Sequence, residues 1–197
     1  MRLEAEVILM AAAIEQLLDA FKNVNGKVSE LLQPYVNITV DQAIATRPGI
    51  QLDQSEEATQ KTWPVHRKWA QEFYRLRNDY VHGNDTNRRT WGWHPLEHLI
   101  MAAFVFPVLV KVLLMQEGHY QLTEDDEGRL LAIDEVLTIT GWGQVTGTHS
   151  NATGWQETLR KSMRRHALEL AVQTAIEDLK RQGIIMPEQE SPLEDIP

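Results

Sequence analysis

From Leu3 onward the apolar residues Val7, Met10, Ile14, Leu17, Leu18 and Phe21 recur at spacings of three and four, the stripe of a helix that packs on one side. Asn25-Gly26 reads as the end of that helix, and Leu32-Gln33-Pro34 and Arg47-Pro48-Gly49 read as breaks. Between them lie two short helical segments, Lys27 to Gln33 and Asp41 to Thr46. A second long helix is predicted to begin at Pro64, whose fixed φ suits a first helical position, and to bury Val65, Trp69, Phe73, Leu76 and Tyr80. Gly83 stops it, because glycine can take the left-handed conformation that closes a helix. His82 is therefore expected in the last turn or the cap.

Pro95 to Met115 is the most apolar stretch, with no charge from Leu99 to Val110. Those twelve residues are too few to span a bilayer. They predict a core helix at the centre of a bundle, kinked at Pro107. Thr123 followed by Asp126 marks the start of a further helix, Glu124 to Val136. Thr138 to Gly154, rich in glycine, reads as a long loop or a small β-hairpin. Trp155 to Gln182 reads as a last long helix closed by Gly183, and the acidic end beyond Pro187 as a disordered tail. The expected fold is all-α: a helical core over 1–120, a helical extension packed on it over 121–186, and the tail.

Hydrophobic residues at 43% and charged residues at 24% exclude wholesale disorder and a fibrous chain. Absence of cysteine excludes disulfide and thiolate chemistry and suits a reducing cytoplasm. Glu4, Glu6 and Glu15 break the first apolar stretch, so no signal peptide is expected there. The acceptor patterns at Asn37, Asn84 and Asn151 are discounted for the same reason. A net charge of −9 rules out a surface that coats nucleic acid, so any polyanion site must be local. Lys61 to Arg89 holds seven basic residues against three acidic ones, so this segment is +4 while the rest of the chain is −13.

Inside that segment, Phe73-Tyr-Arg-Leu-Arg-Asn-Asp-Tyr-Val-His-Gly83 sets Arg77 and His82 five apart, with Asn78 after the arginine and glycine after the histidine. This pattern resembles the HEPN domain, whose hallmark is Arg, four to six residues, then His. The first helix, with Ala13-Ile-Glu-Gln-Leu-Leu18, is also similar to the first helix of some branches of that family. The resemblance covers roughly residues 3 to 115, and nothing from 116 onward carries it.

The resemblance implies a homodimeric, metal-independent and cofactor-free endoribonuclease with a toxin, stress or phage-defence role. In such an enzyme the ribose 2′-hydroxyl attacks the adjacent phosphorus and leaves a 2′,3′-cyclic phosphate. An imidazole such as His82 moves protons near neutral pH, and an always-charged guanidinium such as Arg77 can hold two phosphate oxygens in a fork. Asn78 would join them, with Arg75, Asp79, Tyr80, Arg88 and Arg89 contacting RNA. On a regular helix residues five apart are separated by about 140°, so Arg77 and His82 do not share a face. Either the last turn unwinds at Gly83 or two copies meet across a two-fold axis, and the resemblance favours the second. The alternative is a HEPN-like module without catalysis that binds RNA, a nucleotide or a partner protein such as an antitoxin.

His94-Pro-Leu-Glu97-His98 also matches the inverted zinc-peptidase pattern, with Glu169 or Glu177 as third ligands. Pro95 tells against it by starting a helix and leaving His94 outside as a cap, so no metal is expected. Arg160, Lys161, Arg164, Arg165 and His166 form a second basic run, a solvated face or an RNA path. Trp91 and Trp93 are placed either to stack on a base or to fill the core.

Overall fold

The computed structural model describes residues 2–20, 23–35, 38–86, 89–139 and 154–182. Among these the chain is all-α, with helices α1 (Arg2–Leu18), α2 (Val24–Leu32), α3 (Val40–Thr46), α4 (Glu57–Lys61), α5 (Val65–Val81), α6 (Pro95–Gln116), α7 (Glu124–Thr138) and α8 (Gly154–Arg181). Extended pairing is limited to one bridge between Thr39 and Pro64. The loop or hairpin expected over 138–154 and the tail beyond 187 lie almost wholly outside the described residues.

α1 and α2 pack on α5 and α6, α7 packs on α5, and α8 runs along α7. The core forms where their stripes meet: Val7, Ala11 and Ile14 from α1, Trp69, Phe73 and Leu76 from α5, Met101, Val105 and Leu109 from α6, and Leu130, Ile133 and Leu137 from α7. The stripes of α1 and α5 are those the periodicity picks out.

Helix ends shift by one to three residues in several places and α4 is not expected from the pattern; two further departures have a physical reason. The first helix stops at Leu18, because Asp19 takes φ 47° and closes it, a left-handed role that Asp fills less often than glycine or Asn. Asn25-Gly26 is then not a break but part of the first turn of α2. The Asn23 amide lies across Gly26, 2.4 Å from where a β-carbon would stand, and would have to swing aside for a larger residue. The second concerns α6, which spans 22 residues and by length and composition alone is apolar enough to cross a membrane. It is not surrounded at the bundle centre as expected. Met101, Ala102, Val105, Val108, Leu109 and Val112 are buried, while Ala103, Pro107 and Leu114 are exposed. The physical reason is that its neighbours α1, α2, α5 and α7 leave one side uncovered.

Caps were better specified. Pro64 and His82 flank α5, with Gly83 at φ 66° beyond it. His94 caps α6, and Thr123 and Asp126 exchange hydrogen bonds in a capping box that opens α7.

Candidate functional site

A buried polar knot ties the middle of α5 to the loop that follows it. Arg47, 3% exposed, makes two parallel hydrogen bonds of 3.0 Å to the Glu97 carboxylate and donates to the Gly92 carbonyl at 2.6 Å and to the Ile139 carbonyl. Glu97 also accepts from the His94 backbone N–H at 2.8 Å, so one ion pair ties the α3 end, the loop after α5 and the start of α6 together. Glu72 on α5 accepts from the backbone of Gly92 at 2.6 Å and of Trp93 at 3.3 Å. A β-carbon on Gly92 would stand 3.0 Å from the Glu72 carboxylate and 3.1 Å from Ile50, so a larger residue would force these neighbours apart by a few tenths of an ångström.

The motif residues lie further along, in the last turn of α5 and its cap. Asp79 points inward, accepting from Asn84 Nδ2 at 2.9 Å and pairing with Arg89 at 3.2 Å, while its carbonyl accepts from the Asn84 backbone. It therefore fixes the loop instead of facing a ligand. His82 is exposed at the helix cap. Arg77 turns the other way, its Nη2 3.5 Å from Glu15 on α1 and its Nη1 donating to Asn78 Oδ1 at 2.9 Å. Tyr80 is half-buried, and burial first, then the nearby Glu4, push its hydroxyl upward against a hydrogen bond with Thr86. No hydrogen bond or ion pair joins Arg77 to His82 among the described residues. Arg88 lies outside them.

Arg77, Arg75, Asn78 and Gln71 line a pocket of about 320 Å³ whose other walls bring in Glu15 from α1 and Asn25 from α2. Glu15, Asn25 and Gln71 do not stand out in the sequence. Gln71 stands four residues before Arg75 on α5, whereas Glu15 and Asn25 come from other helices, and α2 starts where a break is expected. Arg75 is half-exposed and pairs with Asp53 at 3.3 Å. Gln60 chiefly, and then the charges of Arg75 and Lys68, hold the Asp53 carboxyl below its ordinary range against burial.

The basic stretch is thus largely matched within the fold. Lys61 pairs with Glu57 at 2.7 Å, Arg67 lies 3.9 Å over the Trp63 ring, and Lys68 is buried between Gln60 and Gln71 at 2.9 Å each. Glu15, Asp53 and Glu57 all come from outside the +4 segment, so folding neutralises much of what the sequence concentrates.

Other sequence candidates separate. His94 Nδ1 accepts from Leu96 N, Glu97 is taken by Arg47, and no group of three metal-capable side chains forms among the described residues. His98 is fully buried, packed by the rings of Trp69, Phe73, Trp91 and Trp93. Trp93 is fully buried and donates to the Leu137 carbonyl at 3.1 Å, so it cannot stack on a base. Trp91 is half-buried and donates to the Thr86 carbonyl at 2.9 Å. In the second basic run Lys161, Arg164 and Arg165 are exposed, and Arg165 pairs with Glu135 and Glu169. The side chains of Arg160 and His166 lie outside those described.

Comparison with family models, curated proteins and solved structures found no match.

Proposed function

We propose that the chain is a metal-independent endoribonuclease of the HEPN kind, acting in a toxin, stress or phage-defence setting. The observation that carries the reading is the arrangement at the end of α5: an arginine that lines an open pocket, and an exposed histidine at the helix cap five residues on. In the proposed reaction the 2′-oxygen bonds to phosphorus as the P–O5′ bond breaks, giving a 2′,3′-cyclic phosphate. Arg77 steadies the charge that builds on the non-bridging oxygens. His82 hands a proton to the leaving 5′-oxygen, and a second imidazole takes the one released by the 2′-hydroxyl. Asn78 holds the Arg77 guanidinium in place. A two-fold pairing of α5 ends supplies the second imidazole and places Arg77 of one copy by His82 of the other.

The test is cleavage of mixed cellular RNA in EDTA, with detection of cyclic phosphate ends. Intact RNA, with His82→Ala behaving like the parent, removes the proposal. A second reading, a non-catalytic module that binds RNA, a nucleotide or a partner protein, is favoured by the pairing of Arg75, Arg77 and Arg89 with carboxylates. On that reading Arg77→Ala weakens binding in a protein that never cleaves.

A further inference from the structure

A groove where three helices meet is ordinarily filled by apolar side chains. Here α5 presents Gln71, Arg75 and Asn78 to the groove, at spacings of four and three, opposite Glu15 and Asn25. Val24 and Tyr74 supply the apolar part of the wall. Tyr74 is anchored, its hydroxyl donating to the Ala11 carbonyl at 2.7 Å.

The hydrogen bonds already made decide what this wall offers. The Gln71 amide oxygen accepts from Lys68 and the Asn78 amide oxygen accepts from Arg77, so both amides are left with their N–H groups to give. Arg75 gives Nη2 to Asp53, and Arg77 gives Nη1 to Asn78 and Nη2 to Glu15, so each guanidinium keeps further N–H groups. Asn25 makes no side-chain hydrogen bond among the described residues. The pocket is therefore rich in donors, with Glu15 its one carboxylate. Such a wall selects a ligand rich in acceptors, namely phosphate oxygens together with the carbonyl and ring-nitrogen edge of a base. Each guanidinium already faces one carboxylate, Arg75 that of Asp53 and Arg77 that of Glu15, so a phosphodiester would take the N–H groups these pairs leave free. About 320 Å³ is at the small end of ligand pockets, room for one unit and not for a folded partner.

We infer that this pocket holds one nucleotide of an RNA strand, its phosphodiester on Arg75 and its base edge against Asn25 and Gln71, next to the scissile phosphate that Arg77 and His82 address. That the nucleotide belongs to a strand rests on the ribonuclease reading; the donor-rich pocket does not.

Binding is measured by fluorescence anisotropy with a 2′-O-methylated RNA oligonucleotide, which has no attacking hydroxyl, so occupancy is read apart from cleavage. Nucleoside 5′-monophosphates compete in a parallel arm. Asn25→Asp is the informative variant, because Asn25 is the second residue of α2. A carboxylate there favours the helix and repels phosphate, so lost binding cannot be laid to unfolding. Arg75→Gln is the second variant. Each is expected to weaken the oligonucleotide about tenfold, and to raise KM for cleavage while leaving kcat nearly unchanged. Variants that bind within twofold of the parent, or a parent that binds neither probe, overturn the inference. A monophosphate that competes as well as the oligonucleotide overturns the strand assignment. If the variants lose binding while no RNA is cut by the parent, the pocket stands and the ribonuclease reading falls.

Discussion

Arg77 on α5 places its Nη2 3.5 Å from Oε2 of Glu15 on α1, so the arginine proposed to meet phosphate already faces a carboxylate. RNA must compete with that carboxylate. Both side chains are partly solvated, and such pairs contribute up to ~1 kcal/mol. Glu15→Gln is therefore expected to tighten binding of 2′-O-methylated RNA by up to about fivefold, read by anisotropy, with little change in stability. Unchanged or weaker binding would show that Glu15 does not restrain Arg77.

The two-fold arrangement has its own assay. Arg77→Ala and His82→Ala subunits, each inactive alone, are expected to regain part of the cleavage rate when mixed, since each heterodimer keeps one arginine and one histidine in the shared cleft. Protein that sediments as a monomer at micromolar concentration and still cuts RNA at full specific activity argues against it.

Arg47 and Glu97 form a fully buried, two-pronged pair. Removing one partner leaves a charge stranded, so Arg47→Met should lower unfolding free energy by roughly 3–5 kcal/mol. Adding Glu97→Leu should restore part of the loss, although the cap on His94 goes with it. Urea midpoints check both, and a single variant costing less than about 1 kcal/mol contradicts a buried pair.

Asp126 sets a pH dependence. Burial alone would raise its carboxyl, but hydrogen bonds from Lys111, Tyr120 and Thr123 outweigh that and hold it well below the ordinary aspartate range. Its folded value lies below the unfolded one, so the contribution is fully present above about pH 4 and lost as pH falls through the folded value. Between about pH 5 and pH 2 the parent should lose stability more steeply than Asp126→Asn. Equal slopes in acid-dependent urea melts would place the linkage elsewhere.

Much of the scaffold was legible from local chemistry. Pro64, Gly83, Pro95 and Thr123 mark helix ends through constraints that hold whatever surrounds them. Asp19 did not, because its left-handed turn is uncommon for that residue type. Arg47 looked like part of a loop signal, since nothing nearby announces a partner fifty residues on. The basic stretch was visible as charge along the chain, but not its neutralisation, which depends on Glu15, Asp53 and Glu57 arriving from other elements. The pocket is illegible for the same reason: it is a meeting of three helices, one of which begins three residues before the segment the pattern marks from Lys27.

The backbone beyond His82 turns through φ 66° at Gly83, with no heavy atom within 4 Å of a built β-carbon. What this position rejects is handedness, not bulk. A mirror-image alanine introduced by chemical ligation would find that φ natural, while narrowing the conformations of the unfolded chain. The histidine's pedestal is thus a place where the protein would tolerate, and should even gain from, a residue that no ribosome supplies.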